Sequence, residues 1–291
     1  MLIPSDTIAS YRRDGVIHLP RVLDTATLDL AQRGFEWSVN HPTPSACQFY
    51  AAEGSNFYQD LCHSQAARTY RQLLEQSTIA DLVAQLWSEE SVWFLYEQIF
   101  VKEGDETRRT PWHQDTPYLA LEGEQLAVVW INFQAVEQSQ SLEFVRGSHR
   151  QTLYNGSAFD DDDTAPIYAH GLPRLPDIQS ERDNWDIVSW AIEPGDVVIF
   201  HPSTLHGGAP TKAGQPRRTL SLRFFGPTVT YAERPEPAPA PLTAGLHDAL
   251  EYGQVFRHPA FPQVRPDARG FENIPADLGH DVALKSQIQS S

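Results

Sequence analysis

The chain has 291 residues, 41% of them apolar and 11% aromatic, with 38 acidic against 22 basic side chains and a formal net charge of −16. That length buries a sizeable core in one large domain or two small ones, and the aromatic content excludes collagen, coiled coil and wholesale disorder. The acidic balance argues against a nucleic-acid or anionic-membrane partner, because both call for a basic surface.

Helices come first. Ser5 or Asp6 is placed to cap a short helix that ends at Gly15. Residues 16–20 read as a strand. Asp24-Thr25 opens a helix to about Asn40, with Leu28, Leu30, Phe35 and Trp37 as its expected buried side. Two cysteines, Cys47 and Cys62, are too few for a disulfide framework or a thiolate zinc cluster and suit a reducing compartment. Residues 64–75 and 77–88 read as two more helices, the second with Ile79, Leu82, Val83 and Leu86 at helical spacing.

The period changes to two over residues 92–102, which is strand behaviour. Further strand-like runs follow at 126–134, 142–145, 187–192, 196–201 and 219–225. Helices followed by strands predict a sheet sandwich or barrel with helices packed outside. The expected organisation is a single domain over 1–291. It has a mainly helical flank at 1–90, a core at 91–230 with an insertion at 151–186, and a Pro-linked C-terminal tail at 231–291. The Asp160-Asp161-Asp162-Asp163 run in the insertion reads as solvated loop. No stretch approaches the ~18 uninterrupted apolar residues of a membrane span. The N-terminus lacks a basic region followed by an apolar run, so a soluble, cytoplasmic protein is expected.

Chemistry concentrates in three segments. In Trp112-His113-Gln114-Asp115, a strand would send His113 and Asp115 out of one face about 6–7 Å apart at the backbone. Near the end of Glu193-Pro-Gly-Asp-Val-Val-Ile-Phe-His-Pro-Ser-Thr-Leu-His-Gly-Gly208, His206 sits in a glycine-flanked loop and supplies a third ligand; His201 is its rival. Two histidines and one carboxylate with open positions suit non-haem Fe(II) better than zinc, which prefers a closed or four-coordinate site. In Gln215-Pro-Arg-Arg-Thr-Leu-Ser-Leu-Arg-Phe-Phe225, alternation puts Arg217, Thr219, Ser221 and Arg223 on one face. Arg217 offers a planar fork for a carboxylate, and Thr219 adds a hydroxyl.

Taken together, these segments resemble the phytanoyl-CoA dioxygenase family of Fe(II)/2-oxoglutarate oxygenases. The resemblance rests on Lys102 at a strand end, His113 and Asp115, Trp130, the Gly147-Ser148-His149 turn, Gly195-Asp196, His206, and Arg217 eleven residues after His206. The run 138–142 lacks the family's frequent Asn-Gly. The resemblance implies a jelly-roll double-stranded β-helix, mainly β with flanking helices. It implies His113, Asp115 and His206 as metal and catalytic residues. It also implies Fe(II), 2-oxoglutarate and O2 as cofactor and cosubstrates, with release of succinate and CO2.

The resemblance places Arg217, Gln98, Thr219 and Lys102 at the cosubstrate. Strand parity adds Trp130 beside it and turns Gln114 away. Tyr58 and Tyr118 are taken for the substrate pocket. Asp115 disfavours halogenation, because halogenating relatives carry a small residue there. The expected reaction is hydroxylation of an unactivated C–H in a small-molecule metabolite or natural-product intermediate. Desaturation, epimerisation and ring formation use the same cofactors. A CoA thioester would be repelled by the −16 charge unless Arg108, Arg109, Arg146 and Arg150 form a basic patch. A non-oxygenase cupin-like metal barrel and a non-catalytic binding protein are the competing classes. Arg217 argues against the first, and the intact metal triad against the second.

Overall fold

Each helix is set by a local signal and one contact surface. The computed structural model describes residues 2–50, 53–159, 162–241, 243 and 245–275. Helix α1 (Ser5–Asp14) starts behind Pro4, which offers no side-chain cap, and the Asp6 carboxylate accepts from the Thr7 N–H at 2.9 Å inside the first turn. It stops at Gly15, whose φ of +75° suits a left-handed cap and whose N–H donates to Tyr11 O at 2.8 Å. Helix α2 (Thr25–Asn40) is capped by Asp24, whose carboxylate accepts from the Thr27 N–H at 2.8 Å.

The buried stripe of α2 is Ala31, Gly34, Phe35 and Ser38. The expected Leu28 and Leu30 are only partly buried, and Trp37 stacks on His41 with ring centroids 4.4 Å apart. Tyr70 is the reason: a Cβ on Gly34 would lie 2.4 Å from its ring, and Ser38 Oγ hydrogen-bonds its hydroxyl at 2.9 Å. The helix therefore needs small residues on that side. The helix expected over 64–75 is two, α3 (Ala66–Thr69) and α4 (Arg71–Gln76), which meet at Tyr70. Helix α5 (Ile79–Trp87) buries Ile79, Leu82, Val83 and Leu86 as its spacing predicts.

The strands are β1 (Val16–Leu19), β2 (Cys47–Gln48), β3 (Ser55–Leu61), β4 (Val92–Gly104), β5 (Thr110–His113), β6 (Leu121–Glu122), β7 (Leu126–Asn132), β8 (Leu142–Val145), β9 (Ile187–Ser189), β10 (Val197–Phe200), β11 (His206–Gly208), β12 (Arg217–Phe225), β13 (Thr230–Tyr231) and β14 (Gln263–Arg265). An eight-stranded antiparallel sheet runs β1-β10-β7-β12-β4-β3-β2, with β14 also on β4. A four-stranded sheet runs β5-β11-β8-β9, and β13 pairs β6. Strands β2 and β3 fall in the region expected to be helical. They join the large sheet because Ser55–Leu61 pairs along β4 from Gly104 to Gln98.

Alternation along β7 and β10 makes the layers. Val129, Ile131, Val197 and Ile199 pack outward against the helices, while Val128, Trp130, Val198 and Phe200 pack inward with Phe144 of the small sheet. This is the expected jelly-roll arrangement with flanking helices, but the two sheets do not close into a continuous barrel.

The C-terminal part is not a detached tail up to residue 275. Phe256 and Phe261 pack with Phe225 and Tyr231, and Phe271 and Ile274 join the core under the helices. In the insertion, Tyr168, Leu175 and Ile178 are buried. Asp162 pairs with Arg174, and Asp163 with Arg108 at 2.6 Å; Asp160, Asp161 and 276–291 lie outside the described residues. Among the described residues, no helix is long and apolar enough to cross a membrane.

Candidate metal centre

The register of the small sheet assembles the site. His113 ends β5, His206 begins β11, and the two are directly opposed across the ladder, with ring centroids 4.2 Å apart. This departs from the sequence expectation twice. His206 lies on a strand, not in a loop, and Asp115 lies past the strand end with φ −76° and ψ −28°. A turn held by the Asp115 N–H donating to Pro202 O at 2.6 Å brings the carboxylate back. Asp115 Oδ1 then stands 3.5 Å from His113 Nε2 and 3.8 Å from His206 Nε2.

The donor set fits a metal ion. His113 Nδ1 contacts Pro111 O at 2.8 Å, and His206 Nδ1 contacts Thr204 O at 2.9 Å. A carbonyl can only accept, so each Nδ1 carries the proton and each Nε2 turns a lone pair toward Asp115. Burial, then the neighbouring His113, pushes His206 down to about 3, so it is neutral at ordinary pH. Burial works to raise the Asp115 carboxyl, but the charge of Arg223, with help from both histidines, outweighs it and holds the group well below the usual range.

One end of the adjoining cavity, about 150 Å³ in volume, is cationic. Arg217 and Lys102 are cross-strand partners on β12 and β4, exposed by only 5% and 1%. Lys102 Nζ donates to Arg108 O at 2.9 Å and lies 3.9 Å from the centre of the Phe57 ring. Arg217 Nη1 donates to Gln140 O. Among the described residues, neither has a carboxylate partner. Burial, then Arg217 and Arg109, pushes Lys102 well below its ordinary value, and burial takes Arg217 down to about 10. Two buried cations without an internal anion form a cradle for an anionic ligand.

Thr219 and Trp130 line the same cavity; the Thr219 hydroxyl donates to Asn132 Oδ1 at 2.9 Å. Gln98 also lines it, but its amide donates to Gln59 at 2.9 Å and its carbonyl accepts from Arg223 at 2.5 Å. Tyr118 is on the cavity wall. Tyr58 is not: strand alternation turns Phe57 and Gln59 into the cavity and packs Tyr58 against the helical layer.

His201 stands apart from the metal group. Its Nε2 contacts Gly123 O at 3.1 Å and its Nδ1 accepts from the Ser203 N–H at 3.1 Å, so both nitrogens serve the loop. Gln114 points away, donating to Ser203 O at 2.7 Å and accepting from the Tyr154 N–H at 2.8 Å. Three of the four arginines of the expected basic patch, all but Arg150, are paired with carboxylates. Arg109 pairs with Glu143 at 3.0 Å, Arg146 with Asp186 at 3.6 Å and Arg108 with Asp163 at 2.6 Å.

Two residues received no role from the sequence. Parity put Arg223 on the inward face of β12; its Nη2 donates to Asp115 Oδ2 at 2.9 Å, fixing the oxygen turned away from the histidines. Phe159, from the aperiodic insertion, packs its ring 5.2 Å from His113. Only the folded chain reveals that contact.

The comparisons with known proteins accord with this geometry. The non-haem α-ketoglutarate dependent carbocyclase SnoK from nogalamycin biosynthesis superposes with a TM-score of 0.68 at 20% identity, covering 90% of this chain and 96% of that one. The epimerase SnoN from the same biosynthesis superposes at 0.67 with 21% identity, over 89% and 97%. These likenesses concern the fold. In sequence, human peroxisomal phytanoyl-CoA dioxygenase is 28% identical over 133 residues, or 45% of this chain. That match spans only 37% of the human protein's own length. The sequence profile of the phytanoyl-CoA dioxygenase family matches residues 11–219. The chain therefore belongs to the phytanoyl-CoA dioxygenase family.

Proposed function

We propose that the protein is an Fe(II)- and 2-oxoglutarate-dependent dioxygenase that hydroxylates an unactivated C–H of a small molecule. The observation that carries this reading is the pairing of a two-histidine, one-carboxylate cluster with two buried, carboxylate-free cations in one cavity. His113, Asp115 and His206 would hold the iron. With 2-oxoglutarate and O2, iron held there would supply an oxidant for the substrate C–H; the balance would be one alcohol, one succinate and one CO2.

Arg217 grips the far carboxylate of the cosubstrate through its planar fork, and Lys102, on the paired strand, adds the second positive charge. The Thr219 hydroxyl and the Trp130 ring line the same cavity and would flank the cosubstrate there. Gln98 acts through Arg223 and does not need to touch the cosubstrate. The inward faces of the two sheets keep bulk water from the reacting carbon. The same residues serve desaturation, epimerisation or ring closure when the substrate differs.

The test is spectroscopic and anaerobic. Adding Fe(II) and 2-oxoglutarate to the apoprotein is expected to give the weak visible charge-transfer band of the chelate. Arg217→Ala should weaken 2-oxoglutarate binding by at least about 30-fold, the equivalent of about 2 kcal/mol for one lost charged hydrogen-bonded contact. His206→Ala should lose iron binding. A wild-type protein without the band, or an Arg217→Ala variant with unchanged affinity, overturns the reading.

A further inference from the structure

Another stretch of the cavity wall has a different chemistry. It is formed by Phe49, Tyr118, Phe159, Ile167 and Tyr168, and it meets the cationic end at Phe57, whose ring lies 3.9 Å from Lys102 Nζ. Four of these rings form one cluster: Phe159 lies 5.2 Å from His113, 5.4 Å from Phe49 and 6.1 Å from Tyr118, and Phe49 lies 5.3 Å from Phe57. Phe159 holds this position with φ at +57°, a conformation that side chains other than glycine rarely adopt. The ring contacts offset its cost.

The tyrosine hydroxyls on this wall are already committed. The Tyr118 hydroxyl donates to Ser157 O at 2.6 Å, and the Tyr168 hydroxyl donates to Pro117 O at 2.7 Å. Gln98 is bonded to Gln59 and Arg223, and the charge of Arg223 is answered by Asp115 at 2.9 Å, although its Nε and Nη1 are buried without a hydrogen-bond partner. What remains toward the open metal positions is aromatic face and edge, with the Ile167 side chain beside it. A carboxylate placed here would lose its hydration with Lys102, at the Phe57 edge, already assigned to the cosubstrate, and an ammonium would find no free carboxylate. An uncharged ring would gain apolar burial and edge or face contacts.

We propose that the substrate presents an uncharged ring system, aromatic or alicyclic, to the Phe49–Tyr118–Phe159 wall, and that Phe159 is the residue that selects it. This rests on the iron reading above for where the reacting carbon must lie. It also assigns the insertion a task, because Phe159 brings that loop against His113 of the candidate metal centre.

The test uses three probes that share one ring: naphthalene-2-methanol, 2-naphthoate and 2-naphthylmethylammonium. Each is measured by equilibrium dialysis against anaerobic protein loaded with Fe(II) and 2-oxoglutarate. The neutral probe is expected to bind about ten-fold or more tighter than either charged one. Phe159→Ala should weaken the neutral probe by about five-fold or more. Ile167→Lys, at a half-buried position where a lysine can reach water, should move the preference toward 2-naphthoate. A charged probe binding as tightly as the neutral one, no binding by any probe, or a ranking unmoved by both substitutions overturns the proposal. The charge-transfer band is read on the same samples. A band without the neutral preference rejects the ring assignment alone, and the preference without a band rejects the iron reading alone.

Discussion

Arg223 is the residue whose removal separates positioning from ligation. Its Nη2 holds Asp115 Oδ2 at 2.9 Å and Gln98 Oε1 at 2.5 Å. Without it, Asp115 has a freely turning carboxylate and no compensating charge. Arg223→Gln is expected to weaken metal binding about 10- to 100-fold, the usual cost of losing a partner that orients a ligand. Titration calorimetry with Co(II) checks this, and Arg223→Lys should recover part of the loss by restoring the charge without the fork.

Glu97, on the opposite face of β4, offers a second residue-scale prediction. It is 2% exposed, and burial raises it to about 8 despite hydrogen bonds from backbone N–H groups. The folded state therefore keeps the proton that the unfolded chain releases near pH 4.5. This stabilising contribution is full below about pH 4.5 and is lost as pH rises toward 8, at up to about 1.4 kcal/mol per pH unit. Glu97→Gln should remove that slope. Guanidinium unfolding at pH 5 to 8, compared between wild type and variant, isolates it from the histidines, which titrate in the opposite sense.

At the scale of elements, legibility followed periodicity. Helix α5 announces itself by one apolar stripe, and strands β4, β7 and β12 by long runs that are buried on both faces. Strand β3 does not, because its seven residues mix Phe57 and Leu61 with Asn56, Gln59 and Asp60, and its backbone is satisfied by pairing with β4 on one side and β2 on the other. The inward turn of Phe57 and Gln59 and the outward turn of Tyr58 follow from that register. A one-residue difference in parity moves a side chain across the sheet. Helix α2 makes the complementary point: its buried stripe is chosen by Tyr70, not by its own leucines. Gly34→Ala should therefore destabilise despite its better helix propensity, by about 1–3 kcal/mol for overpacking. Urea unfolding followed by far-UV circular dichroism measures the shift.

For the whole molecule, the described C-terminal segment is part of the core. Phe256 is fully buried against Phe225 and Phe261. Phe256→Ala is expected to cost about 3–5 kcal/mol, visible as a large fall in the thermal midpoint. Sequence order alone determined the class. Acidic balance, a helical front followed by alternating strands, and the ordered series from Lys102 through His113, Asp115 and His206 to Arg217 all lie along one chain at fixed spacing.

Tertiary structure decided the rest. It set the opposition of His113 and His206 across β5 and β11, the return of Asp115 through a turn, its clasp by Arg223, and the arrival of Phe159 from the insertion. The physical reason is range. Spacing and alternation are local and leave a mark on the sequence. Contacts between residues 46 to 108 positions apart, such as His113 with Phe159 or Asp115 with Arg223, arise only when sheet register and core packing bring distant segments together.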